Sequence, residues 1–387
     1  MSQRVLVAGV GMAPFVPLSA RDSAASLAGR AIRSVLEDAR IDFDLVDQVF
    51  CSCVHNEAGS AEQVLAQIGL TGIPIFSISD GCVSASSAFQ LARNSVLSGE
   101  VECALALGFE RMPVGISNRA FFGLDEMSVQ DWGSADYASR PTAFLERRQH
   151  PAALFAAQTS WLLTRMAIAE SSFERVISHA RAQARCNPFA VTNRSSDRDD
   201  WLAPYLCPPA CGAAAVLLCT PAFIARYGAR GGIAVLASVR GSDTACEQES
   251  ANVLDVLGRA ATRRVAQQAY ERAGLGADEI EVVELHDQSV GDFMVCSAAL
   301  GLCEEDQIDT FVHERRNARG AQIAVCPSGG LLGRGHAPGA TGLAQIAELV
   351  WQLRGTAPAG QLNGARTALQ HSAALGRSVS VTILQRT

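Results

Sequence analysis

The sequence contains no lysine, because all 32 of its basic residues are arginine. Without lysine the chain cannot form a Schiff base, attach pyridoxal phosphate or supply the lysine of a Walker phosphate loop. It also has no blocks of like charge, and its formal net charge is −7. That balance argues against a nucleic-acid groove.

Long apolar runs are also absent. None reaches the roughly 20 residues that span a bilayer, and the N-terminal sequence MSQRVLVAGVGM lacks the layout of a signal peptide. We therefore expect a soluble, cytoplasmic protein that does not bind membranes. The 387 residues are 48% hydrophobic and 18% charged, which is typical of a globular chain with a large core.

Metal and dinucleotide motifs are incomplete. The cysteine pairs Cys51–Cys53 and Cys207–Cys211 have no second pair at zinc-site spacing, so no metal site is expected. Gly9-Val-Gly11 resembles the start of a dinucleotide loop, but Pro14 stands at the third glycine position and has no N–H for a pyrophosphate.

Strand and helix patterns alternate along the chain, which predicts a layered α/β fold. Short apolar runs predict strands at about 4–9, 46–53, 73–78, 103–108, 212–219, 233–239, 280–285, 321–325 and 378–384. Apolar residues at helical spacing predict helices at about 23–39, after Cys82, and at 151–169, 251–273 and 339–353. The second part repeats the order of the first, so we expect a duplicated fold with halves at 1–225 and 226–387. An irregular stretch at about 111–209 is expected to cover a site in the first half.

Two glycine-led segments echo one another in the two halves. One begins GCVSASSA at Gly81, and the other begins GHAPGATG at Gly335. Each is interpreted as a turn that leads into a helix, so a duplicated fold would bring the Cys82 thiol near the His336 imidazole. A cysteine at a helix start has a lowered pKa, which makes Cys82 a candidate nucleophile. The alternative is a small residue packed where a helix leaves a sheet.

Other interpretations of the histidine segments also stay open. His336 lies among six glycines, so the loop would equally suit a hydrogen-bonded turn or a phosphate site for a nucleotide or phosphorylated carrier. His286 and Asp287 follow an apolar strand, where reactive side chains often emerge. There the alternative is that Asp287 caps the next helix.

Three motifs resemble those of the thiolase superfamily, and within it the sterol-carrier-protein type. They are CPSGGLLGRGHAPGATG from Cys326, ELHD at 284–287 and LGFERM at 107–112. The resemblance extends along nearly the whole chain. It implies the duplicated five-layered αβαβα thiolase fold, a homodimer, a coenzyme A thioester as substrate and no covalently bound cofactor.

The resemblance also implies site residues. Cys82 corresponds to the cysteine that accepts the acyl group, and His336 to the histidine that activates it. His286 corresponds to the histidine of the family's HDCF motif, which helps bind the thioester oxygen of the second substrate. The backbone N–H groups of Cys82 and of about Ala373 would form the other oxyanion hole.

Departures from the family pattern point to an unusual acyl acceptor. HDCF is here HDQS, so Gln288 stands where the subgroup often has a second cysteine. His371 stands where ordinary thiolases have a proton-shuttling cysteine; it is either a replacement base or structural. Some bacterial relatives acylate aromatic rings and use a histidine of the covering segment, for which His150 is the candidate here.

Two other functions compete with an acyltransferase. One is a retro-aldol lyase that acts on a side-chain acyl-CoA without needing the cysteine. The other is a non-catalytic subunit of a complex. Many bacterial members of this subgroup work beside a small protein with a zinc ribbon and an OB-fold, so a partner of that kind is expected. Because lysine is absent, the phosphates of coenzyme A would meet arginine, serine or backbone amides.

Overall fold

The structure is a computed structural model that describes residues 4–56, 59–112, 151–191, 205–248, 250, 252–314, 318, 320–321, 323–375 and 378–387. Much of the predicted covering segment, including His150, lies outside these residues. Its described parts are residues 111–112, 151–191 and 205–209.

The described residues contain ten strands. They are β1 (Leu6–Val16), β2 (Gln48–Ser52), β3 (Ile75–Ile78), β4 (Cys103–Glu110), β5 (Cys211–Cys219), β6 (Ile233–Ser242), β7 (Val282–Glu284), β8 (Ala324–Val325), β9 (Thr367–Ala373) and β10 (Ser378–Arg386).

The helices of the described residues lie between these strands. They are α1 (Ala24–Ala39), α2 (Ser60–Leu65), α3 (Ser84–Ser98), α4 (Pro151–Thr164), α5 (Glu170–Cys186), α6 (Pro221–Tyr227), α7 (Ala245–Gln248), α8 (Val253–Val256), α9 (Arg259–Ala273), α10 (Val290–Ala299), α11 (Ile308–His313), α12 (Gly330–Arg334) and α13 (Thr341–Arg354). Short 3₁₀ turns occupy Phe43–Leu45, Ala277–Glu279 and Glu305–Gln307.

The strand order shows the duplication directly. The sheet runs β3-β2-β4-β5-β1-β6-β10-β9-β7-β8. From the middle of the sheet outward, the strands of the first half are β1, β5, β4, β2 and β3, and those of the second half are β6, β10, β9, β7 and β8. The two halves therefore use their five strands in the same order. In both halves the second strand is parallel to the third and fourth, and the other pairs are antiparallel. The halves meet where β1 pairs with β6 at Leu6 and Ala234.

The two halves of the sheet form two layers, and helices outside and between them form the other three. α1 packs on one face of β1 and β5, and α9 packs on the far face of β6 and β10. α3 and α13 lie in the middle, where they contact each other and strands of both halves. Phe89 of α3 shares a buried apolar cluster with Leu343 and Ile346 of α13. The predicted duplicated αβαβα fold is confirmed.

Several elements differ from the sequence prediction. The helix predicted over 251–273 is two helices, because Gly258 adopts a φ of 99° between α8 and α9. The helix predicted over 151–169 ends earlier, since α4 spans Pro151–Thr164. Ala167 has a φ of 53° in the turn that follows, and a second helix, α5, begins at Glu170. Strand β9 was not predicted at all.

Candidate active site

Cys82 lies in the turn between β3 and α3. Gly81 before it has a φ of 54°, a conformation that favours glycine. The hydroxyl of Ser84 accepts a 2.6 Å hydrogen bond from the Asp80 N–H and donates a 2.6 Å bond to the Gly81 carbonyl. These bonds fix the turn, and the small buried residues 84–88 follow it.

The thiol of Cys82 is not activated in this state. Burial raises its pKa to about 12, and the nearby carboxylate of Glu110 adds to the increase. The predicted lowering by a helix terminus is therefore wrong here, because α3 begins at Ser84 and desolvation outweighs any dipole effect. A thiol with so high a pKa can act as a nucleophile only beside a base that removes its proton.

Hydrogen bonds fix both the backbone and the imidazole ring of His336. Its backbone N–H donates to the Pro208 carbonyl at 2.8 Å, and its carbonyl accepts from the Ala210 N–H at 2.8 Å. Nδ1 lies 2.9 Å from the hydroxyl of Thr341, which also contacts the Ala337 carbonyl at 3.0 Å. If that hydroxyl donates to Ala337, Nδ1–H donates to Thr341 and Nε2 is the basic nitrogen.

His336 is neutral at ordinary pH. Burial lowers its pKa well below the usual value, and the neighbouring His286 and Arg334 lower it further. A neutral imidazole can accept a proton, which is the form that a base needs.

His286 faces His336 across the site. It follows β7, its side chain is 2% exposed, and its ring centroid lies 5.1 Å from that of His336 in an edge-on arrangement. Burial lowers its pKa to about 3. Neither of its ring nitrogens has a hydrogen-bond partner among the described residues.

The structure brings the three principal predicted residues together. The donor atoms of Cys82, His286 and His336 all lie within 4.8 Å of one another. A Cβ added to Gly81 would lie 3.8 Å from the Cβ of Ala374, so the Cys82 turn adjoins the end of β9 where Ala373 lies.

His371 lies behind His286 on β9. Its Nδ1 accepts a 3.3 Å hydrogen bond from the His286 backbone N–H, and its Nε2 lies 3.2 Å from the hydroxyl of Thr262 on α9. Burial lowers its pKa to about 3. With both nitrogens engaged, the ring supports the His286 backbone, which favours the structural alternative over a replacement base.

Asp287 has a different role from either sequence interpretation. It does not cap the helix that follows it, since Ser289 caps α10 by accepting from the Asp292 N–H at 2.9 Å. Its carboxylate instead accepts from the Leu331 and Leu332 N–H groups at 2.7 and 3.4 Å. Asp287 therefore holds α12, the short helix that leads to His336. Gln288 is buried beside it, and its carbonyl accepts from the Cys207 N–H at 2.9 Å.

Sequence reasoning missed Glu110 and His55 at the edge of the site. The fully buried Glu110 carboxylate accepts from the N–H groups of Val54, His55 and Gly339 at 3.2, 2.9 and 2.9 Å. His55 Nδ1 lies 3.4 Å from the same carboxylate, and the pair lies close enough to affect His336 and Cys82 electrostatically. Glu110 belongs to the LGFERM motif, whereas no pattern in the sequence marks His55.

A bridging segment, residues 206–210, joins the two histidine loops. Cys207 bonds to Gln288, Pro208 and Ala210 bond to His336, and Leu206 forms a bridge with Ser289. This part of the predicted covering segment therefore fixes the spacing between the loops that carry the two imidazoles.

The site and the fold define a class of protein. The pattern of the thiolase N-terminal domain matches residues 5–139, and that of the thiolase C-terminal domain-like family matches residues 243–386. The chain belongs to the thiolase superfamily, a family of acyl-CoA acyltransferases. Within the described residues, no helix is both long and apolar enough to cross a membrane.

Particular relatives are similar over most of the chain. Human sterol carrier protein 2 is 32% identical over 98% of this chain and 72% of its own length. The benzoylsuccinyl-CoA thiolase subunit BbsB of Thauera aromatica is 25% identical over 96% of this chain and 94% of its own. Among solved structures, an Ltp2–ChsH2(DUF35) aldolase superposes with a TM-score of 0.77 at 20% identity, covering 99% of this chain and 98% of that one. The last comparison supports the fold.

Proposed function

We propose that this protein is an acyltransferase that forms or cleaves a carbon–carbon bond through an acyl-Cys82 intermediate. The carrying observation is the cluster of one thiol and two imidazoles within 4.8 Å. A raised thiol pKa beside a neutral imidazole suits a nucleophile that loses its proton only as it attacks.

In the first half-reaction, His336 takes the Sγ proton as sulfur attacks the thioester carbonyl of an acyl-CoA. The carbon–sulfur bond to coenzyme A breaks, and the leaving thiolate receives that proton. The backbone N–H groups of Cys82 and Ala373 stabilise the oxyanion. In the second half-reaction, a carbon nucleophile attacks the acyl group and the Cys82 thiolate leaves. The acceptor carbon loses its proton, which His336 passes to the thiolate. His286 binds the oxygen on which negative charge develops in the second substrate.

The acceptor is the unusual part of the proposal. In the described residues, no second thiol joins the cluster of Cys82, His286 and His336. The position of His371 behind His286 also leaves the usual site of the proton-shuttling group without a base that faces the cluster. We therefore assign an acceptor whose carbon is nucleophilic without strong deprotonation, such as an electron-rich ring. His150, which lies outside the described residues, is the proposed histidine contact to that acceptor.

Mass spectrometry of the intact protein tests the acyl-enzyme. After incubation with a mixed pool of acyl-CoAs, the wild type should gain the mass of one acyl group and Cys82→Ala should not. His336→Ala should acylate about 10²- to 10⁴-fold more slowly, the usual contribution of a general base. Cys303→Ala, which removes a partly exposed thiol elsewhere, is the matched control and should acylate normally.

Two results would replace the proposal. An adduct that survives Cys82→Ala would exclude Cys82 as the nucleophile, and a Cys82→Ala variant that still turns over a side-chain acyl-CoA would identify the retro-aldol lyase. Failure of the wild type to turn over any thioester, even with its partner, would identify a non-catalytic subunit.

We also propose that the protein works as a homodimer and with a small zinc-ribbon and OB-fold partner. The outer strand β3 leaves Phe76 45% exposed, and Leu70, which precedes that strand in the sequence, is 87% exposed; such apolar side chains suit contact with a second copy. The name of BbsB describes a subunit, and that of the Ltp2–ChsH2 aldolase names two proteins. None of the twelve cysteines, all of which lie within the described residues, forms a disulfide, which suits a reducing cytoplasm. Light scattering of the purified chain tests the dimer.

A further inference from the structure

The site combines the ligand types that bind soft and borderline divalent cations. Zinc binds cysteine sulfur at about 2.3 Å and histidine nitrogen at about 2.0–2.1 Å, which in tetrahedral geometry separates the donors by roughly 3.5 Å. The donors of Cys82, His286 and His336 lie within 4.8 Å of one another. Side-chain movements of about 1 Å would therefore close the three around one ion.

His286 gives independent support for a ligand. Its side chain is 2% exposed, and neither ring nitrogen has a hydrogen-bond partner among the described residues. A buried polar group without a partner is costly, and each such group in a protein calls for an explanation. A cation bound by one of these nitrogens would supply the missing interaction.

The surroundings also match those of metal-binding histidines. A ligating imidazole usually donates its other ring N–H to an oxygen, which fixes its orientation. His336 has this arrangement, since its Nδ1 lies 2.9 Å from the hydroxyl of Thr341. Cys82 keeps some solvent exposure, which leaves room for water as a fourth ligand. The Glu110 carboxylate acts on the Cys82 site and favours a cation, although the buried Arg334 near His336 opposes one.

We propose that Cys82, His286 and His336 bind Zn²⁺ or a similar soft divalent cation, which blocks the nucleophile and holds the enzyme reversibly inactive. On binding, the thiol releases its proton to solvent, a sulfur–metal bond forms, and no atom is oxidised or reduced. The ion is an inhibitor and not a resident cofactor. Its binding is independent of the proposed function, whereas the inhibition rests on that function.

Cobalt provides a spectroscopic test. Co²⁺ titrated into the full, chelator-treated chain should produce a thiolate-to-cobalt charge-transfer band and the visible bands of tetrahedral Co²⁺, saturating at one ion per chain. Cys82→Ala should lose the charge-transfer band. His286→Ala and His336→Ala should each weaken Co²⁺ binding by more than about tenfold. Loss of a residue that only supports a ligand already costs at least about that much, and loss of a ligand should cost more. Cys186→Ala and Cys246→Ala, which remove exposed thiols, are controls and should bind normally.

Persistence of the band in Cys82→Ala, or unchanged affinity in both histidine variants, would overturn the site. Circular dichroism melts establish that each variant is folded, and Cys82→Ser and His286→Gln replace any that is not. Zn²⁺ should also prevent acylation of the wild type, and a chelator should restore it; full acylation at saturating Zn²⁺ would overturn the inhibition. If the cobalt spectrum appears but the metal-free protein never acylates, the proposed function fails while the metal site stands.

Discussion

Glu110 organises one edge of the site through four contacts. Its buried carboxylate binds three backbone N–H groups, among them that of Gly339 in the His336 loop, and its Oε1 lies 3.4 Å from His55 Nδ1. A single carboxylate thus joins the loop after β2 to the loop that carries His336. The side chain of His55 remains 33% exposed, so its protonation state can respond to solvent.

We predict that His55 titrates above its usual value of 6.5. The hydrogen bond to Glu110 raises its pKa, outweighing the opposing effect of burial. The sign follows from that direction: the pairing is fully present below pH 6.5 and is lost as the pH rises through the raised pKa. NMR titration of the histidine ring protons tests whether the pKa of His55 is higher than 6.5.

Glu110→Gln should move the His55 pKa back towards 6.5 or below it. Glu102→Gln, which alters an exposed carboxylate paired with Arg226, is the control and should leave it unchanged. A His55 pKa that is the same in the wild type and in Glu110→Gln would show that the ion pair does not form in solution.

At the scale of elements, α1 illustrates how local sequence sets a boundary. Ser23 caps its start by accepting from the Ser26 N–H, and Leu27, Ala31 and Val35 are buried at helical spacing. The helix ends at Ala39, and Arg40 after it adopts a left-handed conformation with a φ of 63°. Glycine usually occupies this position, because a side chain there is strained.

Arg40→Gly should therefore stabilise the protein slightly. Relief of the left-handed conformation is worth about 1–2 kcal/mol, and the added flexibility of the unfolded chain removes about 0.4–1 kcal/mol of that gain. Urea unfolding should show a net increase of about 0.5 kcal/mol. Gly228→Ala tests the reverse change at the end of α6, where φ is 66° and no atom would contact the new Cβ. By the same two effects it should lose about 0.5 kcal/mol. Equal stability of both variants and the wild type would contradict the strain argument.

Element types with strong apolar patterns were predictable from the sequence, and β9 was not. Its central residues Gln370, His371 and Ser372 are polar, which resembles a loop, yet all three are buried. Gln370 and Ser372 bond to Gln345 of α13 and to Ser86 of α3. Only the assembled middle layer supplies those partners, so no local pattern indicates the strand.

The same reasoning explains which parts of the site could be predicted. Cys82, His286 and His336 lie in glycine-led turns or after an apolar strand, which made them candidates, and the resemblance to the thiolase motifs supplied the roles proposed for them. The role of Asp287 depends on Leu331, 44 residues away, and that of Glu110 depends on Gly339, 229 residues away. Partners so distant in sequence are determined by the fold.

At the scale of the whole molecule, Asp38 joins distant parts of the chain. Its carboxylate accepts from the Val10 N–H at 2.9 Å and pairs with Arg354 of α13 at 2.6 Å and with Arg230 before β6. Arg354 is 7% exposed and also donates to the Val7 and Ala8 carbonyls at 3.1 and 3.2 Å. This cluster connects the outer helix α1 to the middle layer.

Asp38→Asn should reduce the free energy of unfolding by about 3 kcal/mol, because it leaves a buried guanidinium without its counter-charge. Asp22→Asn removes the half-exposed partner of Arg30 and should change stability by less than about 1 kcal/mol. Urea unfolding of the two variants gives the comparison. A loss for Asp38→Asn no greater than that for Asp22→Asn would mean that the cluster contributes little.

Contacts between residues far apart in sequence also determine when the site can form during folding. Ser86 bonds to Ser372 across 286 residues, and Ser52 bonds to Gly339 across 287. Such contacts close very long loops, which makes folding slow relative to proteins with local contacts. During synthesis, Cys82 leaves the ribosome long before His336 and β9 exist to meet it. The Cys82 thiol and the two imidazoles therefore become neighbours only after both halves have docked, so this arrangement of side chains is a late product of folding.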